Sequence, residues 1–102
     1  MGLVQVKPQR VEHSDGWAVS NAGREQVEYE EHGRSALIGI DRGVRSSRLY
    51  VDTLRWVDHN GGELLVDEPC RGVVLDRIVE GLEVISASAI ERYSATDERH
   101  PD

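Results

Sequence analysis

Apolar and polar residues alternate along one stretch of the chain, from residue 26 to residue 40. Five apolar residues share one face under this alternation: Val27, Tyr29, Ala36, Ile38 and Ile40. Between the two halves, His32 and Gly33 are a tight-turn signal, because glycine readily adopts the positive φ that such a turn needs. The pattern predicts a β-hairpin with one buried face, and it places Glu28 and Glu30 on the face that meets water or a partner.

The stretch 48–57 carries apolar residues at both odd and even positions. They are Leu49, Tyr50, Val51, Leu54, Trp56 and Val57. Apolar residues of both parities predict a central strand covered on both faces, and one helical turn capped by Asp52 is the alternative. Shorter patterns predict strands at 4–6, at 17–19 and near 87–92.

A helical pattern follows a start signal at Asp67, a good N-cap residue with Glu68 and Pro69 after it. The apolar positions have helical spacing: Val74, Leu75, Ile78, Val79 and Leu82. Strands followed by one long helix predict an α+β fold, in which a small antiparallel sheet has one main amphipathic helix packed on it. We expect a single domain over residues 1–93 and a disordered polar tail over residues 94–102.

The composition is that of a small acidic protein. The chain has 102 residues and a formal net charge of −7, with 19 acidic residues against 12 basic ones. This balance disfavours binding to nucleic acid, and no apolar run is long enough for a membrane span. A single cysteine, Cys70, cannot form an internal disulfide. We expect a cytoplasmic protein, monomeric or homodimeric, whose partner is another protein.

Candidate catalytic groups are sparse. Asp58 and His59 are adjacent, but they precede the flexible turn sequence Asn60-Gly61-Gly62, and no second ligand or base lies near in sequence. Cys70 falls in the first helical turn, where we expect it to be partly buried and inert. The sequence therefore predicts no catalytic site, no metal site and no cofactor. An enzyme would require Asp58, His59 and another acid to converge in a pocket.

Five residues are the best candidates for binding a protein partner. Glu28, Glu30 and Asp58 would supply negative charge, which steers a basic partner to the surface. Tyr50 and Trp56 would supply aromatic anchors, since aromatic residues are frequent at binding hot spots. For Trp56, a place in the core is the alternative.

The order of features in YEEHGRSALIGID, LYVDTLRWV and DEPCRGVVLDRIVEGL resembles the immunity protein 74 family of bacterial polymorphic toxin systems. The resemblance covers residues 29–82 and is carried by Tyr29, Glu31, Gly33, Arg34, Leu49, Tyr50, Trp56, Arg71, Val74 and Ile78. It implies a non-enzymatic antitoxin that binds one cognate toxin domain and blocks its active site. The alternative is a structural or regulatory subunit that forms a homodimer through a strand edge or its helix.

Overall fold

The computed structural model describes residues 2–43, 45–58, 60–85 and 89–94. Strands account for 55% of the structure and helix for 18%, and seven strands form a curled half-barrel. The prediction of a small sheet with one main helix packed on it is therefore wrong. The elements in chain order are β1 (Leu3–Lys7), β2 (Arg10–His13), β3 (Trp17–Asn21), β4 (Gln26–Glu31), β5 (Arg34–Arg42), β6 (Ser46–Val57), β7 (Glu63–Leu65), α1 (Cys70–Ile85) and β8 (Ala89–Tyr93).

The sheet is a meander in which β1 to β7 pair antiparallel in chain order. The connections are short, as antiparallel neighbours allow. The predicted hairpin is β4 and β5, and its turn residues His32 and Gly33 have φ of 48° and 84°, the positive angles of a two-residue hairpin turn. After β7, α1 crosses the sheet and β8 pairs parallel with the first half of β6.

The core lies on one side of the sheet, here called the inner face, and α1 packs there against β1, β2, β3 and β8. The opposite side is called the outer face. Gly81 lets the helix come close, because a Cβ at this position would lie 2.7 Å from Cβ of Val19. The buried apolar residues come from β2 to β6, from α1 and from Val66 after β7. They include Val11, Val19, Val27, Tyr29, Ile38, Leu49, Leu54, Val74 and Ile78.

A bulge in β6 explains the mixed parity of its apolar residues. Leu37 pairs with Arg55 and Gly39 pairs with Tyr50, so Ile38 alone faces the whole segment 51–54. The hydroxyl of Thr53 accepts the N–H of Gly39 at 2.7 Å and donates to the carbonyl of Tyr50 at 2.7 Å. Because parity switches at the bulge, odd residues before it and even residues after it share the inner face. The predicted strand is confirmed, but its covering on both faces is wrong.

The start of α1 also differs from the prediction. The helix begins at Cys70, and the carboxylate of Glu68, rather than Asp67, accepts a helix N–H, that of Gly72, at 3.2 Å. Asp67 contributes its main-chain carbonyl, which accepts the N–H of Arg71 at 2.9 Å. Cys70 is exposed, so its predicted partial burial is wrong.

The final predicted strand is present as β8, at Ala89–Tyr93. The predicted disordered tail, apart from Ser94, lies outside the described residues, as does His59. Within the described part of the chain, no helix is both long and apolar enough to cross a membrane.

Candidate functional site

Three of the five predicted binding residues border one shallow groove. Glu28, Trp56 and Asp58 line a depression of 770 Å³ that crosses β4, β5, β6 and β7. We call it the Trp56 groove. It arises where the end of β6 and the loop after it stand beside the short edge strand β7.

Apolar residues from three strands line the Trp56 groove, with Leu37 and Val57 on the outer face and Trp56 and Leu64 on the inner face. Leu37 of β5, Trp56 and Val57 of β6, and Leu64 of β7 all border it. Trp56 pairs with Leu64 in the β6–β7 ladder. The Trp56 ring also packs against the core, with its centroid 6.4 Å from that of the Tyr29 ring. Trp56 is half-buried, so it belongs both to the edge of the core and to the groove.

Carboxylates give the Trp56 groove a negative charge. Asp58 is held in place because its Oδ1 accepts the N–H groups of Asn60 at 2.9 Å and Gly62 at 2.8 Å. Glu63 lines the groove as well, and its Oε1 is 3.6 Å from Nε of Arg55. Glu28 has no side-chain hydrogen bond or ion pair with any described residue.

Among the described residues that line the groove, Arg34 is the only basic one. Its charge is already engaged, because Nη2 lies 3.0 Å from Oε2 of Glu31 and Cζ lies 3.8 Å from the centre of the Trp56 ring. A cation over an aromatic face is attracted to it. Arg34 thus fixes the tryptophan ring. Glu28 and Asp58 set the charge of the groove, since Glu63 is paired with Arg55.

The structure does not bring the other two predicted residues to this groove. Glu30 accepts a hydrogen bond from Nη2 of Arg10 at 2.8 Å, and this bond raises the pKa of Arg10. Tyr50 lies beyond the β6 bulge, where its ring meets that of Tyr93 edge-on at 5.4 Å. Glu30 and Tyr50 line other depressions.

Sequence reasoning missed a polar cluster on the inner face. The hydroxyl of Tyr29 donates to Glu31 at 2.6 Å and accepts from Nη1 of Arg77 at 2.9 Å. The Arg77 guanidinium is also 5.4 Å from the centre of the Trp17 ring. We call Trp17, Tyr29, Glu31, Arg34 and Arg77 the inner cluster, which joins α1 to β3, β4 and β5.

The inner cluster shifts the pKa values of its members. Burial raises the pKa of Tyr29 to about 12, and the hydrogen bond to Glu31 adds to the effect. Burial alone would raise the pKa of Glu31, but hydrogen bonds from Tyr29 and Arg34 and the charges of both arginines outweigh it, and the pKa is lowered. The pKa of Arg77 is raised by its hydrogen bond to Tyr29.

One signal in the sequence pointed to this cluster. Glu31 shares the parity of Val27 and Tyr29, which makes it a charge at an inner-face position that needs a partner. The helical pattern placed Arg77 on the outward side of α1, and a long side chain can reach around a helix to such a partner. Because its members satisfy one another, the inner cluster supports the fold and positions Trp56 rather than offering free groups.

No family model, curated protein or solved structure matches this chain. Among the described residues, no three histidine, cysteine, aspartate or glutamate side chains are placed to hold a metal ion. A functional assignment must therefore come from the chemistry of the Trp56 groove.

Proposed function

We propose that this chain is a non-enzymatic binding protein that holds a basic segment of a partner protein in the Trp56 groove. One observation carries the proposal: the groove joins a half-buried tryptophan and a 70% exposed leucine, Leu64, to three carboxylates. Aromatic and apolar anchors with a charged rim are typical of protein-binding hot spots.

Charge complementarity supports a basic partner. Glu28 faces the groove without an ion-pair partner among the described residues, and Asp58 and Glu63 stand beside it. The whole chain carries a net charge of −7, which accelerates encounter with a basic protein. An arginine or lysine side chain could lay its apolar stem on Leu37 and Val57 and extend its charge to Glu28.

The resemblance to immunity protein 74 supplies a finer proposal for the partner. It would be a toxin domain, and the bound protein would act by covering the toxin's active site. No match bears on this resemblance, so the groove alone supports the binding function.

The alternative proposal is a homodimer formed through a strand edge. It is favoured by β7, where Leu64 and Leu65 are 70% and 62% exposed. Two copies would each bring a charge of −7, and like charges oppose association at low salt.

Selection from random-sequence peptides displayed on phage, at low salt, tests the proposal. We expect enrichment of peptides that combine arginine or lysine with leucine or an aromatic residue, and elution by salt. Enrichment of acidic peptides, or of none, would overturn it.

A matched pair of variants then locates the binding site on the protein. Glu28→Lys and Glu83→Lys make the same change of charge, in the groove and on the exposed side of α1. We expect Glu28→Lys to weaken binding of the selected peptide by roughly tenfold or more, whereas Glu83→Lys leaves it nearly unchanged. Equal losses would mean that total charge, and not the groove, drives binding.

A further inference from the structure

We infer that the partner segment binds as an added β-strand on the free edge of β7. This inference rests on the proposed function and adds a second contact for the same segment, beside the Trp56 groove. It is carried by the backbone register of β7 and by the exposure of its side chains.

The backbone groups of β7 are divided between its two edges. On the β6 side, the N–H of Asp58 bonds to the carbonyl of Gly62 at 3.0 Å, and the N–H of Val66 bonds to the carbonyl of Leu54 at 3.4 Å. Hydrogen-bonded pairs alternate in an antiparallel ladder, so Leu64 opposite Trp56 turns its N–H and C=O toward β6.

The N–H and C=O groups of Glu63 and Leu65 consequently point away from β6. Among the described residues, no hydrogen bond to these groups is present on that side. Unpaired N–H and C=O groups on an exposed edge are the groups that an extended segment bonds to in strand addition.

Both faces of β7 are uncovered as well. Adjacent strand residues point to opposite faces, and Leu64 and Leu65 are 70% and 62% exposed. Leu64 borders the Trp56 groove, so a strand added beside β7 would extend the apolar surface of the groove and cover exposed leucine.

The opposite edge of the sheet lacks this regularity. Strand β1 also exposes Val4 and Val6, but its register breaks between Gln5 and Lys7. The side-chain amide of Gln5 donates to the carbonyl of Pro8 at 2.9 Å. Bulges and prolines are devices that keep an edge from pairing, and β7 contains neither.

Charge selects a basic segment rather than a second copy of the chain. An antiparallel pair of β7 strands centred on Leu64 would place each Glu63 opposite a Leu65, with no charge to balance it. A segment with lysine or arginine next to an apolar residue would instead meet Glu63 and the nearby Asp58 together with Leu64.

Backbone methylation of the phage-selected peptide tests strand addition. A methyl group removes the N–H of the residue that carries it. Because alternate N–H groups of an added strand face β7, methylation at one set of alternate positions should weaken binding by roughly tenfold or more, and the other set should leave it nearly unchanged. Equal effects of the two sets would overturn strand addition.

A variant of the protein tests the same point from the other side. Leu65→Pro removes an N–H that faces away from β6, a position where an edge strand tolerates proline. We expect it to weaken the peptide more than Leu65→Ala, with the melting temperature as the check on folding. If Leu65→Pro does not fold, the methylated peptides still test strand addition on the wild-type protein.

The two proposals fail differently. If the unmodified peptide binds the wild type and loses affinity in Glu28→Lys, but is indifferent to methylation and to Leu65→Pro, strand addition is wrong and groove binding stands. If no peptide binds and sedimentation shows a dimer, both proposals are wrong and a second copy occupies the edge.

Discussion

The two faces of β4 use their charges in opposite ways. On the inner face, Glu31 is bonded to Tyr29 and Arg34 and is only 14% exposed. On the outer face, Glu28 borders the Trp56 groove and has no ion-pair partner among the described residues. Two acids three positions apart on one strand therefore have different roles: Glu31 holds the helix and the sheet together, and Glu28 is available to a partner.

This difference shows why net charge alone says little about a binding surface. Several acids on the protein are already balanced, as Glu30 is by Arg10 and Asp76 is by Arg92. The part of the −7 charge that matters for binding is the part left unpaired beside apolar side chains. Glu28 in the Trp56 groove meets both conditions, whereas the inner cluster meets neither.

The largest effect should come from removing the inner acid. Glu31→Ala leaves Arg34 and Arg77 without their carboxylate, and we expect a loss of about 2–3 kcal/mol in the free energy of unfolding. Glu28→Ala should change it by less than about 0.5 kcal/mol. Chemical denaturation of both variants measures the two changes in the free energy of unfolding. Similar losses would show that the acids on the two faces contribute equally to stability.

Acid should reproduce this effect in the wild type. The folded pKa of Glu31 is lowered from its ordinary value of 4.5, so its contribution to stability is present above that value and is lost as pH falls through the folded pKa. Glu31→Ala should therefore lose less stability than the wild type over the same acid range.

The next effect concerns the packing of α1 on the inner face. In Gly81→Ala the new Cβ would lie 2.7 Å from Cβ of Val19, and this overlap should destabilise the protein by about 1–2 kcal/mol after the gain in helix propensity. Gly72→Ala is the control in the same helix, because its Cβ meets only the Glu68 carboxylate at 3.5 Å. Thermal melting should show Gly72→Ala unchanged or more stable, and a stabilised Gly81→Ala would contradict the close packing.

The smallest effect should come from Tyr29→Phe, which leaves Arg77 and Glu31 3.5 Å apart and should reduce stability by about 1 kcal/mol. Tyr29 has a folded pKa of about 12 against an ordinary 10.0, so its contribution is complete below pH 10 and is lost as pH rises toward 12. The phenolate absorbance of the wild type minus that of Tyr29→Phe isolates this titration. A difference curve centred near 10 would place Tyr29 outside the cluster.

Much of the strand pattern could be read from the sequence, because alternation and turn residues are local signals. The hairpin β4–β5 with its His32-Gly33 turn was predicted in this way. Strands β2 and β7 were not, since RVEH and ELL are too short to show a period. Without these two strands, the predicted sheet was too small and the helix was wrongly taken as the main element of the fold.

The β6 bulge could not be read from apolar parity either. A parity switch and a doubly covered strand give the same sequence pattern, and only the partner strand distinguishes them. For the groove, charge and aromatic content singled out Glu28, Trp56 and Asp58, which the structure brings together. It places Glu30 and Tyr50 elsewhere, because ion pairing and the bulge depend on contacts distant in sequence.

The most direct test of the account is the fluorescence of Trp56 during titration with the phage-selected peptide. Trp17→Phe protein is used, since the chain contains two tryptophans and this variant leaves Trp56 as the sole reporter. We expect the Trp56 emission to shift as the peptide binds, with an affinity that falls by roughly tenfold between low and physiological salt. Peptide binding that leaves the Trp56 emission unchanged would contradict the assignment of the groove as the binding site.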